Sequence, residues 1–420
     1  MTRYFVPLFL VCTYCWLAPM TASAVVISTV PVGNAGNAAD TVVMTTDGTT
    51  GYGSVDHAYS IGMTEVTNTQ YAEFLNAKAA GSDPLGLYNN NMGSDPRGGL
   101  ARSGVSGTFT YTPKTDMGNK PVNFVSWYDA IRFANWLNNG QGHSSTETGA
   151  YTILGGTSTP SNGPSIVRNS GAKWFLSSEN EWYKAAYYDP RATSQGGPAG
   201  DDNYWFYPTS SNITPTMATA NVVGDISNPG MNVANYYNGA DWNGLDGNVT
   251  TVGSAGPLSQ SFFGTSDQGG NVIEWNEALL IGSSRGLWGG FFGGNSEAAL
   301  QSSFRGSTPP SLEDLALGFR MASVPEPGVI LPFPDANADG YANFIDLGYV
   351  LNNFNQPGTY RDGDFDHSGT VDFIDLGILL NNFNESAPVF SSAAAVPEPS
   401  TLALAALGAI GLLIAARRKV

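Results

Sequence analysis

The sequence predicts an α+β domain with much coil, followed by a small all-α module of paired loops and helices and by a hydrophobic helix at the carboxy terminus. Three observations carry this prediction. A few well-marked helix starts are separated by Gly-, Asn-, Ser- and Thr-rich turns, an acidic 12-residue pattern occurs twice after residue 334, and an apolar run covers Leu402 to Ala416. Helices need capping and a 3.6-residue period, which the turn-rich segments lack.

Composition bounds what such a chain does. With 420 residues, 42% of them hydrophobic, the chain is long enough for two or three domains and at least one large core. Charged residues are only 13%, while Gly numbers 51 and Pro 25, so long surface helices are few and loops are many. A formal charge of -17 argues against nucleic acid and anionic membrane surfaces as partners and fits divalent cations better. The two cysteines, Cys12 and Cys15, both lie near the amino terminus. The mature chain is therefore expected to hold no disulfide, no thiolate metal ligand and no cysteine nucleophile.

Residues 1–24 read as a signal peptide. Arg3 gives a small positive start, Tyr4 to Pro19 is apolar, and Ala22-Ser23-Ala24 has the small-x-small pattern that signal peptidase cuts. The run is short and broken by Pro7, Thr13 and Pro19, which disfavours a retained anchor.

Residues 25–323 read as one irregular domain in which three helices announce themselves. Thr67 with Gln70 precedes Tyr71, Phe74 and Leu75; Ser126 with Asp129 precedes Ile131, Phe133, Trp136 and Leu137; Ser178 with Glu181 precedes Trp182 and Ala185. Each pair has the spacing of a capping box. Between them, stretches such as Thr193 to Asn203 and Gly224 to Gly247 offer turns and short strands.

Phe263 to Trp275 reads F-G-T-S-D-Q-G-G-N-V-I-E-W. Asp267 and Glu274 flank Gly269 and Gly270, which let the backbone turn sharply and direct carbonyls to one centre. Two carboxylates and main-chain carbonyls suit a hard cation such as calcium, which takes six to eight oxygens. The other reading is an acidic turn in which Glu274 caps nearby amides and Trp275 packs inward.

Five motifs in order resemble the formylglycine-generating enzyme, or sulfatase-modifying factor, family: G-M-T-E-V-T-N-T-Q-Y-A-E-F-L at Gly62 to Leu75, P-V-N-F-V-S-W-Y-D-A-I-R-F-A-N-W-L at Pro121 to Leu137, F-L-S-S-E-N-E-W-Y-K-A-A at Phe175 to Ala186, G-G-N-V-I-E-W at Gly269 to Trp275, and G-F-R at Gly318 to Arg320. The resemblance implies a C-type-lectin-like α+β fold with structural calcium. Carried over residue by residue, it implies calcium held by Asp267, the carbonyls of Gly270 and Val272, and Glu274. It places a second calcium near Asn235, Tyr236, Asp246 and Asn248, where the motifs align loosely.

The resemblance stops at the chemistry. Catalytic members hold copper with two cysteines in the segment that corresponds to Arg285 to Arg305, and this segment contains none. Cu(I) needs soft thiolate or thioether ligands, and Glu297, near the position of the second cysteine, is a hard carboxylate. Only His57, His143 and His367 exist, and they form no close cluster for iron chemistry. The expectation is a non-catalytic binding scaffold. The alternative is a formylglycine-generating oxidase with a relocated or degenerate active site.

Residues 324–334 form a proline-stiffened linker. In residues 335–386 the first acidic loop places Asp335, Asn337, Asp339, the Tyr341 carbonyl, Asn343 and Asp346 at loop positions 1, 3, 5, 7, 9 and 12. The second places Asp364, Asp366, Ser368, the Thr370 carbonyl, Asp372 and Asp375 at the same positions. Gly340 and Gly369 occupy position 6, where a calcium loop must turn sharply. Each loop precedes a near-identical apolar helix, from Leu347 and from Leu376, so the unit repeats every 29 residues. Leu347, Val350, Leu351 and Phe354 are expected to pack on Leu376, Leu379, Leu380 and Phe383. With Asp at position 12 and a single helix per loop, the pair resembles a type I dockerin, which implies Ca2+ binding and a possible cohesin-like partner.

After a second linker, residues 387–395, the segment 396–420 joins Val396-Pro397-Glu398-Pro399-Ser400 to the apolar run and to Arg417-Arg418-Lys419. It resembles the PEP-CTERM sorting signal, which implies an exosortase as processing enzyme and transient or stable holding at the inner membrane. The basic end keeps the tail cytoplasmic. The whole reads as an exported, calcium-binding protein of the cell surface, outer membrane or extracellular matrix of a Gram-negative-type bacterium. An extracellular polysaccharide or a surface protein is the expected ligand of the large domain.

Overall fold

The computed structural model describes residues 24–324 and 334–384, apart from 192, 201, 295, 338–340, 357, 359 and 366–369. The leader, the sorting segment and all but the ends of the 324–334 linker lie outside the described residues. So do Asp339, Gly340, Asp366, Ser368 and Gly369 of the acidic loops.

In chain order the elements are β1 (Thr29–Val32), β2 (Tyr59–Gly62), α1 (Asn68–Lys78), α2 (Asn91–Ser94), β3 (Leu100–Ser103), β4 (Thr110–Pro113), α3 (Trp127–Asn138), β5 (Trp174–Leu176) and α4 (Glu179–Tyr187). There follow β6 (Thr216–Met217), β7 (Val233–Ala234), β8 (Ile273–Leu279), β9 (Arg285–Trp288), β10 (Gly306–Thr308), β11 (Leu317–Gly318), β12 (Met321–Ser323), α5 (Phe344–Asn352) and α6 (Phe373–Asn381). Helices and strands are both present, the strands are short, and coil connects most of them.

The three capping boxes form as the sequence reads. Thr67, Ser126 and Ser178 each accept the amide of the residue three further on, whose side chain returns to the cap's own amide. Reciprocal capping satisfies two amides that a helix start would leave open. Helix α3 is buried from Trp127 through Leu137. Its buried Asp129, Arg132 and Asn135 sit among the apolar side chains because each finds hydrogen-bond partners, Asp129 with Ser126, Arg132 with Glu147 and Asn135 with the Thr146 carbonyl.

Two four-stranded sheets position the rest. The first has the order β1-β2-β12-β5, all antiparallel, so β12, the last strand before the linker, is inserted between β2 and β5. The second has the order β10-β9-β8-β11, with β11 parallel to β8 and Gly318 opposite Glu274. The strand that carries Glu274 and the strand that leads into Arg320 therefore run side by side.

The acidic repeat has its own core of Ala336, Ala342, Val350, Phe365, Val371, Ile378 and Leu379. Val350 and Leu379 are fully buried and Leu347, Phe354, Leu376 and Phe383 pack against them, but Leu351 and Leu380 are more than half exposed. This corrects the expected helix interface. Leu351 and Leu380 follow Val350 and Leu379 by one residue, about 100° around a short helix, and Ala342, Phe365 and Val371 from the loops fill the space instead. No helix among the described residues is long and apolar enough to cross a membrane. The apolar run 402–416 is not among them.

Candidate metal centre

Asp267 and Asn271 both adopt φ of 60°, and Gly270 has φ of 95°. A Cβ on Gly270 would lie 2.2 Å from the Asn235 carbonyl oxygen, so glycine is required there by contact as well as by conformation. The Gly270 amide donates to the Gly289 carbonyl at 2.7 Å and the Asn271 amide to the Asn235 carbonyl at 2.8 Å. The loop is thus pinned between β9 and the strand-like segment at Asn235.

Glu274 is fully buried and its oxygens are engaged. Arg320 donates through Nη2 to Oε1 at 2.6 Å and through Nε to Oε2 at 2.7 Å, and Trp182 Nε1 donates to Oε2 at 2.7 Å. Such a two-point pair is the strongest geometry a guanidinium offers a carboxylate. Trp275 packs inward with no exposure and donates through Nε1 to the Val125 carbonyl. Asp267 is partly buried and accepts the Gly253 amide through Oδ2 at 2.5 Å. Burial pushes its carboxyl up to about 6; the Gly253 bond and the Arg320 charge oppose that rise and the Glu274 charge adds to it. The four residues of the expected calcium loop are therefore neighbours, but Glu274 faces a guanidinium.

The residue that sequence reasoning passed over is Glu65. It is 1% exposed, and neither carboxylate oxygen has a hydrogen-bond partner. Burial, then the charge of Asp267, drives its carboxyl well above the ordinary range, while Arg320 pulls it down. A small cavity of about 50 Å³ lies beside it, lined also by Ile27, Ser28, Thr64, Val66 and Gln70. Its signal was an acid between Thr64 and Val66, just ahead of the α1 cap, in a stretch that Ile61, Met63 and Val66 make largely apolar.

These residues fit a calcium ion. The unpartnered carboxylate of Glu65, the carboxylate of Asp267 and the main-chain carbonyls of the Gly269-Gly270 turn are hard oxygen donors, and the Glu65 segment reaches the loop through the Ser266 amide on the Met63 carbonyl at 2.7 Å and Arg320 on the Gly62 and Met63 carbonyls. Among the described residues no three His, Cys, Asp or Glu side chains converge on one point, so such an ion would rely on main-chain carbonyls for much of its shell. Copper does not fit. The segment Arg285 to Arg305 offers no sulfur, and its buried side chains Trp288, Phe292 and Leu300 are packing groups. Arg305 there is clamped by Glu179 at 2.7 and 2.8 Å and by Asp47 at 2.8 Å.

At the looser second site the structure brings Asn235 and Asn248 together, with Asn235 Nδ2 donating to the Asn248 carbonyl at 2.9 Å. Asn235 Oδ1 is buried without a partner. Tyr236 is buried and bonds the Pro215 carbonyl, whereas the Asp246 side chain is exposed.

In the acidic repeat, Asp346, Asp364 and Asp375 are fully buried. Asp346 Oδ1 accepts the Ala336 amide at 2.8 Å, and its Oδ2 accepts the Asn343 amide at 2.8 Å, so position 12 folds back over position 2. Asp375 Oδ2 accepts the Asp372 amide in the same way at 2.8 Å. Asn343 and Asp372, at position 9, also cap α5 and α6. The two units mirror each other. Phe344 packs on Phe383 and Phe373 on Phe354, at 4.9 and 4.8 Å between ring centres. The Asn384 amide donates to the Ala342 carbonyl and the Asn355 amide to the Val371 carbonyl, both at 2.8 Å. Asp335, Asn337, Tyr341 and Thr370 lie in the described parts of the loops.

A separate cavity of about 440 Å³ is lined by His57, Tyr59, Arg168, Asn169, Phe175 and Val324, among others. The Arg168 guanidinium lies 3.7 Å from the centre of the Phe175 ring and bonds Glu181 at 2.6 Å and Glu277 at 2.7 Å. His57, half exposed, bridges Asp56 and Glu181 at 2.8 and 3.0 Å.

Residues 27–324 match the Sulfatase-modifying factor enzyme 1-like domain. Residues 395–419 match the PEP-CTERM protein-sorting motif, which marks an exported chain that an exosortase processes and that associates with the membrane. No curated protein matches the sequence. Among solved structures, variable protein 1 of Treponema denticola is similar at 20% identity, covering 73% of this chain and 98% of that one, with a TM-score of 0.39. CarF is similar at 21% identity over 71% of this chain and 99% of its own, with a TM-score of 0.43. PvdO from Pseudomonas aeruginosa is similar at 17% identity over 71% and 94%, with a TM-score of 0.40. By a match that covers most of its length, the chain belongs to the sulfatase-modifying factor enzyme 1-like domain family.

Proposed function

We propose that residues 25–323 form a non-catalytic, calcium-stabilised binding domain of C-type-lectin-like build, carried by an exported chain to the cell surface or matrix. The observation that carries this reading is the absence of cysteine from Arg285 to Arg305, and from the chain beyond Cys15, in a family whose oxidation needs a thiolate pair. Copper chemistry has no ligands there, whereas the acids around Arg320 and the carbonyl-rich turn suit calcium. The Asp267 loop, with the Gly270 and Val272 carbonyls, would hold one ion; Glu274 lies beside them, tied to Arg320. Residues 335–386 act as a calcium-folded module, dockerin-like in its paired loops, with a cohesin-like protein as one class of partner. The cavity of about 440 Å³ beside His57 and Arg168 has the size of a small-ligand site. Its polar rim suits a saccharide unit or a polar segment of a surface protein.

Incubated with Cu(I) and a peptide of the form C-x-P-x-R, the mature chain should leave the cysteine unmodified by mass spectrometry. Formation of the aldehyde would overturn the non-catalytic reading and favour an oxidase with a relocated site.

A further inference from the structure

Arg320 is fully buried, and each of its five N–H groups has an acceptor: two on Glu274, and the carbonyls of Gly62, Met63 and Ser266. It therefore neutralises Glu274 and has no donor left. Two carboxylates remain in its field. Asp267 holds one amide hydrogen bond, and Glu65 holds none although it is 1% exposed. Fully ionised, the three acids and one guanidinium would carry a surplus of two negative charges around a largely water-excluded centre, and such a surplus is relieved either by protons, as the raised carboxyls of Glu65 and Asp267 allow, or by a bound metal ion.

We propose that Glu65 completes the calcium site of the Asp267 loop, so that one divalent cation neutralises the two carboxylates that Arg320 leaves unpaired. This rests on the calcium reading above and adds to it a ligand from a segment some two hundred residues earlier in the chain. A divalent ion matches the surplus charge, which a monovalent ion does not. Calcium in particular accepts the irregular, carbonyl-rich shell that a turn at Gly269-Gly270 presents, where magnesium demands octahedral geometry. Glu274, held from two sides by Arg320 and Trp182, then acts as a fixed wall of the site.

Terbium replaces calcium in oxygen sites and emits when a nearby indole is excited. Trp182, bonded to Glu274, and Trp275, next to it in sequence, are adjacent to this site, whereas the acidic repeat from Asp335 to Asn384 contains tyrosine but no tryptophan. Excitation at the red edge of the tryptophan band therefore reports the Asp267 loop within the intact mature chain. The unaltered chain should give sensitised emission that calcium displaces. Glu65→Gln should weaken terbium binding by about tenfold or more, since ligand charge sets affinity in such sites. Asp267→Asn should do the same, and Asp364→Ala, in the repeat, should leave the signal unchanged. Glu65→Asp, which keeps the charge, should bind more tightly than Glu65→Gln, which separates ligation from loss of fold. If Glu65→Gln binds as the unaltered chain does while Asp267→Asn does not, Glu65 is no ligand and the calcium reading stands. If the unaltered chain gives no sensitised emission, the calcium reading of the loop itself falls.

Discussion

At the start of α3, Asp129 lies against Glu313, whereas at the start of β8, Glu274 lies against Arg320 with Glu65 and Asp267 close by. Both places bury acids in the same domain, and they differ in what balances the charge. Asp129 accepts the Ser126 hydroxyl at 2.6 Å and amide at 2.9 Å, and Glu313 hydrogen-bonds to it from the other side. Arg132, one turn on, is engaged by Glu147 and the carbonyls of Thr157 and Ser158. Two acids in contact with no guanidinium between them are balanced by a proton. Around Arg320 there are three acids; Arg320 pairs with Glu274, and Glu65 and Asp267, both raised by burial, call for protons or a metal ion. On the calcium reading proposed above, the capping box of α3 and the Asp267 loop meet the same electrostatic problem differently, one with a proton and the other with a divalent ion.

The largest expected effect comes from removing the guanidinium. Arg320→Met leaves Glu274, Glu65 and Asp267 without their buried counter-charge and should cost about 3–5 kcal/mol, the scale for breaking a buried ion pair. Urea unfolding followed by tryptophan emission measures it. A midpoint within error of the parent's would show that Arg320 is not what holds the acids in place.

The proton-balanced pair should show itself through pH and by less. Burial, then the charge of Glu313, raises Asp129 from 3.8 to about 8. Because the folded value lies above the unfolded one, the folded state binds the extra proton between them. That contribution is fully present below the unfolded value and is lost as pH rises through about 8. In saturating calcium, unfolding free energy should therefore fall across this window with a slope approaching about 1.4 kcal/mol per pH unit. Asp129→Asn should flatten that slope. Parallel pH profiles for the two proteins would contradict the shared proton and remove the contrast between the clusters.

Helix starts were legible in the sequence because a capping box is local, three residues from cap to partner, as at Thr67, Ser126 and Ser178. The sheets were not, because β12 pairs with β2 and β5 across most of the domain and short strands carry little period of their own. At the metal centre, Asp267, Gly270, Val272 and Glu274 stand together in the chain as the motif implies. The pairing of Glu274 with Arg320, 46 residues on, comes from the parallel register of β8 and β11 and has no local signature. Glu65 was hidden for the same reason. Its charge acquires a role only when the fold brings the Asp267 loop and Arg320 near it. In the repeat, the 12-residue spacing made the loops legible, while the exposure of Leu351 and Leu380 depended on how the loops themselves pack.

The most direct test of the account is thermal unfolding of the mature chain in EGTA and in millimolar calcium, with helix content and tryptophan emission recorded together. Beyond the leader every tryptophan lies between Trp127 and Trp288, so emission reports the large domain. On the proposed calcium reading, the repeat, whose core is small, should contribute its helices only when metal is bound. The account predicts that EGTA removes the helix signal of α5 and α6 before any heating and lowers the emission transition by several degrees, because a bound ion stabilises only the folded state. Calcium should restore both. Superimposable curves in the two buffers would contradict it.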